Sequence, residues 1–127
     1  MYYLNKTTHY NFEEAEQKIR AILKEKGFGI LTEIDMKSTM KTKLDKDIQQ
    51  YKILGACNPN YAYLALQEEE KIGIILPCNV TIIENKDGSV DVSIMDPEAA
   101  FKLTDNSSLA TFAKEVKGIL QSALEKL

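Results

Sequence analysis

Apolar and polar positions recur along this chain with two periods, and the switches between them divide it into elements. Phe12, Ala15, Ile19, Ile22 and Leu23 fall at helical spacing on one face. Asn11 stands before that face as a cap, with Glu14 three places on, and Gly27 follows as a left-handed stop, so the spacing predicts a helix between them. Leu109, Phe112, Ala113, Val116, Ile119, Leu120, Ala123 and Leu124 predict a longer amphipathic helix at the end of the chain, with Asn106-Ser107-Ser108 supplying its cap. Period two governs Phe28 to Met36, placing Phe28, Ile30, Thr32, Ile34 and Met36 on one face of a half-buried strand. Val90, Val92 and Ile94 alternate with Asp91 and Ser93, and Asn85-Lys86-Asp87-Gly88 turns Asn79 to Glu84 and Ser89 to Met95 into a hairpin.

The remaining segments are shorter. Met1 to Tyr10 carries three tyrosines and two threonines and suits an opening strand. Met36, Met40 and Leu44 lie four apart among lysines, which suggests a short surface helix. Lys46-Asp47 continues as a loop into a strand from Tyr51 to Cys57. Asn58-Pro59 and Asp96-Pro97 are cap-plus-proline pairs, opening helices to about Glu69, with Ala62, Ala65 and Leu66 inward, and to about Leu103. Ile72 to Leu76 fits a strand or a buried loop. Hairpin strands with helices at both ends favour an α+β domain over a parallel α/β sheet. At 127 residues one domain, 1–127, is expected, large enough to bury a core without metal or disulfide.

Composition narrows the classes of function. Apolar residues make up 44% and charged ones 28%, the balance of a folded globular protein. A net charge of −3 gives no drive towards phosphate backbones, so a nucleic-acid partner is not expected. No apolar run reaches the roughly 18 residues of a membrane span, and the first residues lack the pattern of a secretion signal. A cytoplasmic location, with Cys57 and Cys78 as free thiols, is the expectation.

Four motifs, in order, then carry a resemblance. They are Gly27-Phe28-Gly29-Ile30-Leu31-Thr32-Glu33-Ile34-Asp35 with Lys37 and Thr39; Ile53-Leu54-Gly55-Ala56-Cys57-Asn58-Pro59; Leu76-Pro77-Cys78-Asn79-Val80; and Met95-Asp96-Pro97-Glu98. With these the chain resembles the domain-of-unknown-function 302 family over nearly its whole length. The resemblance implies a fold like that of the TATA-box-binding protein, a curved antiparallel sheet with helices on one side, of β-α-β-β-β-β-α type with extra short helices. It also implies a homodimer, and it implies no activity or cofactor.

The candidate chemistry centres on the cysteines. Cys57 ends a strand just before a helix start, where the partial positive charge of the helix N-terminus would lower a thiol's pKa. Cys78 follows Pro77 in a similar run ending Cys-Asn. A two-thiol site could serve redox chemistry, a persulfide, a soft metal or a haem-like cofactor, with Asn58, Asn79, Asp35 and Lys37 as candidate ligand contacts. The plainer reading makes both cysteines small buried residues. Zinc is disfavoured, since two thiols and the remote His9 leave a tetrahedral site short of ligands. His9 itself reads as a surface residue, and no Ser-His-Asp pattern or phosphate-binding glycine loop is present. Glu33 and Asp35 could form an acid–base or cation-binding pair, or simply the solvated face of their strand. Lys37, Lys41, Lys43 and Lys46 could hold an anion, but interrupting aspartates favour a solvated helix face. Three functions stay open: a small-ligand or sensing module near the cysteines, a thiol enzyme with Cys57 as nucleophile and Cys78 as resolving partner, or an interaction domain without a small-molecule site.

Overall fold

The structure, a computed structural model, describes residues 1–127. Five strands, β1 (Tyr3–Thr8), β2 (Gly29–Asp35), β3 (Tyr51–Cys57), β4 (Cys78–Glu84) and β5 (Val90–Met95), form one open sheet in the order β1-β5-β4-β3-β2. Every neighbouring pair is antiparallel. Because β1 and β2 are the opposite edges, the helix joining them, α1 (Phe12–Glu25), must cross the sheet, and the last helix, α5 (Ala110–Glu125), packs beside it. Leaving aside the short helices, this is the expected β-α-β-β-β-β-α order. No helix is long and apolar enough to cross a membrane.

Local signals explain the main elements. Asn11 accepts from the Glu14 amide at 2.8 Å while the Glu14 carboxylate accepts from the Asn11 amide at 3.2 Å, closing the capping box that starts α1. Its buried stripe, Phe12, Ala15, Ile19 and Leu23, meets Val116, Leu120, Ala123 and Leu124 of α5 over Leu54, Ala56, Val80, Ile82, Val92 and Ile94 of the sheet. Each fully buried Leu, Ile or Val in this layer contributes about 1.5–3 kcal/mol. A second, smaller core joins Ala65 of α3 (Pro59–Glu68), Ile72, Phe101 of α4 (Pro97–Phe101), Leu109 and Ala113. Asp96 fastens this end. It is buried, accepts from the Glu98 amide at 2.9 Å to cap α4, and meets Lys117 Nζ of α5 at 3.0 Å. Asp96→Ala should cost about 1–2 kcal/mol, read as a lower urea midpoint, and Asp96→Asn, which keeps an acceptor for the cap, should cost less.

Four expectations are corrected. The single apolar face of Phe28 to Met36 is broken by a bulge: Ile30 pairs with Ala56, but Thr32 pairs with Gly55, leaving Leu31 extra. Directly opposed residues share a face, so Ile30 lies on the helix side while Thr32 and Ile34, opposite Gly55 and Ile53, lie on the other. Met36 is not in the strand at all, since Asp35 accepts from the Ser38 amide at 2.9 Å and caps α2 (Met36–Leu44) there. Leu66 is 46% exposed rather than inward, and of Ile72 to Leu76 only Ile72 is buried, in a 3-10 turn over Glu70–Ile74 that is neither strand nor buried loop. No residue of α2 is buried, in keeping with a solvated helix.

Candidate functional site

β3 and β4 are neighbours with Ala56 opposite Cys78, so Cys57 lies one residue beyond that pair, and the sheet brings the two cysteines to the same end. Asn58 leaves the strand with extended backbone and turns the chain into α3, its Oδ1 accepting from the amides of Asn60 and Tyr61 at 3.1 and 3.3 Å. Pro59 contributes no amide donor. The free N-terminal N–H groups that would favour a Cys57 thiolate are therefore engaged by the Asn58 side chain. Burial, with no cation alongside, pushes the Cys57 thiol up from its ordinary value, which corrects the lowered value expected from its place in the sequence. Cys78, buried more deeply, is pushed up to about 12 by burial first and then by the nearby Cys57. The two cysteines are not joined by a disulfide.

Both cysteines line one crevice of about 30 Å³, of whose thirteen lining residues eleven are hydrophobic. Its walls come from Phe28, Tyr61 of α3, Pro77, Phe101 of α4, and Phe112 and Val116 of α5. Tyr61 Oη donates to Glu115 at 3.0 Å, which ties α3 to α5. The free space holds about one water-sized group, far less than the ~150 Å³ in which an apolar cavity takes up benzene. Phe101 also walls a roomier cleft of about 240 Å³, lined on its far side by Lys102, Asp105 and Asn106. The aromatic walls were not singled out in the sequence. Phe28 precedes β2 and the others come from separate helices, so only the tertiary fold sets them around the thiols.

The other candidates lie elsewhere. Asn79 is exposed on the sheet face away from the helices, opposite Gly55. Asp35 ends β2 and Lys37 lies in the first turn of α2 just beyond it, whereas the near end of β2, Gly29, pairs with Cys57. Six residues of strand, roughly 20 Å, separate the two ends. Asp35 caps α2, and Lys37 Nζ donates to the Ile48 carbonyl at 2.8 Å. His9, exposed, follows β1 at this same far end, where Thr8 pairs with Val90.

Glu33 and Asp35 do share a face, but it is the helix-covered one, opposite Leu54 and Lys52. There Lys52 Nζ contacts Glu16 at 2.9 Å and Glu33 at 3.2 Å, and Arg20 contacts the same two carboxylates at 2.9 and 2.8 Å. The hydrogen bond from Lys52 holds the Glu33 carboxyl below its usual range, and Glu16 holds the Lys52 ammonium above its own. The two cations already answer the two carboxylates, so this cluster pins α1 to the sheet. No group of three or more acidic, histidine or cysteine side chains is arranged to hold a metal ion.

A family model described as a domain of unknown function, DUF302, matches residues 4–127. The chain belongs to the DUF302 family. A solved relative, the crystal structure of an uncharacterized conserved DUF302 protein from Bacillus stearothermophilus, superposes with a TM-score of 0.92 at 22% identity, over 98% of this chain and 97% of its own. At that identity the likeness carries the fold of a DUF302 domain and nothing about its chemistry. No curated protein matches the chain.

Proposed function

We propose that this single DUF302 domain is a small binding or sensing module, acting as a homodimer, whose ligand is taken where Cys57, Cys78 and Asn58 meet. One observation carries the reading: two thiols of unequal accessibility, Cys57 half-buried and Cys78 buried, line the same apolar crevice. A neutral, apolar thiol pair suits a soft or apolar ligand group and disfavours a charged one, because an unpaired charge is costly in such surroundings. Phe101 supports the route in. It lines both the crevice and the larger cleft, whose volumes together approach the ~300 Å³ of ordinary ligand pockets. The thiol-enzyme reading is weaker, since both thiols are raised rather than poised as thiolates.

Phenylarsine oxide tests the pair directly. Its arsenic forms bonds to two sulfurs while its oxygen leaves as water with both thiol protons, so the reaction needs two thiols within reach and no oxidant. Intact-mass measurement of the folded protein should show one adduct per chain, absent from Cys57→Ser and from Cys78→Ser. A native protein that takes up none, while its unfolded chain does, would remove the two-thiol site. Alkylation at graded pH separates the enzyme reading. Cys57 should react with a midpoint above that of the unfolded chain, and a midpoint clearly below it would favour a nucleophile instead.

A further inference from the structure

The core helices α1 and α5 pack on one side of the sheet. On the other side, the row through the central strand runs Asn5, Ser93, Thr81, Ile53, Ile34 from edge to edge, by the pairing of β1 with β5, β5 with β4, β4 with β3 and β3 with β2. The rows on either side bring Tyr51, Ile83 and Met95 to the same surface. Across all three rows the one charged side chain is Asp91, and its carboxylate already accepts from Thr7 Oγ1 at 2.6 Å. The chain as a whole is 28% charged, so this face is depleted of charge as the buried centres of interfaces are. Exposed apolar side chains continue it at one end: Ile74, 86% exposed, and Leu103, 80% exposed, border a groove that also reaches Tyr2, Asn79 and Met95.

From this we infer that the open sheet face, centred on Thr81, is where a second copy of this chain docks. The inference rests on the homodimer reading and names its surface. In a two-fold contact every residue meets the same patch of its partner, so a face bearing several charges of one sign would repel itself. This one does not. A two-fold axis joining two stacked faces lies between them, and one running along the row through Thr81 sets the two Asp91 side chains on opposite sides of it, roughly 13 Å apart from strand rise. A nucleic acid fits poorly, because none of the three rows carries a lysine or arginine to meet phosphate. The size is adequate. Five strands at ~4.8 Å and six residues at ~3.3 Å span about 500 Å² in projection. Side-chain relief and the Ile74–Leu103 border extend this towards the ~800 Å² per partner of a standard interface.

Sedimentation equilibrium of the wild type, Thr81→Lys and Thr81→Glu tests both layers of the inference. The wild type should be a dimer. Each variant should sediment as a monomer with an unchanged far-ultraviolet circular dichroism spectrum, its Kd weakened by roughly a hundredfold or more through like charges set across the axis. An equal mixture of the two variants should regain the dimer. A wild type that stays monomeric at sub-millimolar concentration overturns the dimer itself. Dimers that persist in both variants overturn the face and leave the dimer standing. Should the variants fail to fold, amide spectra of the wild type at falling concentration decide instead. Shifts confined to the rows around Thr81 support the face, and shifts confined to α2 or α3 overturn it.

Discussion

Raising the pH from 8 to 11 should destabilise the wild-type protein by about 2–3 kcal/mol more than a Cys78→Ala variant. Cys78 is 5% exposed, and burial among apolar residues pushes its thiol from an ordinary value of 9.0 to about 12 in the folded state. The sign follows from proton counting. Between these two values the unfolded chain has lost the Cys78 proton while the folded chain keeps it, so the unfolded state binds fewer protons and stability falls as pH rises. Below pH 9 the contribution is fully present, and it is gone by about pH 12. The slope is about 1.4 kcal/mol per pH unit, and the whole range is on the order of 4 kcal/mol. All other groups are common to both proteins and cancel in the difference. Cys78→Ala will itself lower stability at neutral pH through lost packing, on the order of 1 kcal/mol, and that offset should be constant with pH. Cys57, raised less and more exposed, should add a smaller alkaline loss to both proteins. The measurement is urea unfolding at pH 7, 9, 10 and 11. Parallel curves for the two proteins would mean that Cys78 reaches solvent, and the apolar crevice would lose its buried wall.

How far the molecule could be read from its sequence depends on the range of each signal. The α1 start was legible because the capping box joins residues three apart, and both of its hydrogen bonds are present. The β4–β5 hairpin was legible from Asp87-Gly88, with Gly88 at φ 88°, and Val90, Val92 and Ile94 all buried on the face assigned to them. The bulge at Leu31 left no such trace. Leu31 is as apolar as its neighbours, so Phe28 to Met36 scores as one alternating strand while the backbone changes face in the middle. Met36 fitted that alternation equally well, although Asp35 with Ser38 three places on was a readable cap. For the site, the local half was visible and the distant half was not. Cys57-Asn58-Pro59 marked a strand-to-helix corner, but that Cys78 sits beside it follows only from β3 pairing with β4 in a particular register. The helix N-terminus suggested a lowered thiol pKa. Asn58, which caps that helix, is also what takes the amides away from Cys57.

Gly55→Ala should be strongly destabilising, even though alanine is ordinarily the better strand residue. Replacing glycine inside a strand normally gains about 0.5–1 kcal/mol through the entropy of the unfolded chain. Here the added Cβ would collide with Thr32 Oγ1 and come within 2.7 Å of Pro77 Cγ. Neither neighbour gives way easily. Thr32 is β-branched and held in the strand pair opposite Gly55, and Pro77 is a rigid ring immediately before β4. Overpacking of this kind costs about 1–3 kcal/mol and exceeds the propensity gain. In a domain of this size, each kcal/mol lowers Tm by roughly 3–5 °C. The bulge makes the claim specific, because it is the extra residue Leu31 that sets Thr32, rather than Leu31, against Gly55. Thr32→Ala should therefore relieve much of the loss. The double variant is expected to be more stable than the sum of the two single effects by at least about 1 kcal/mol, with the contact to Pro77 keeping the rescue incomplete. Additive effects in that cycle would mean that Thr32 does not face Gly55, and the bulge would have to be placed elsewhere in β2.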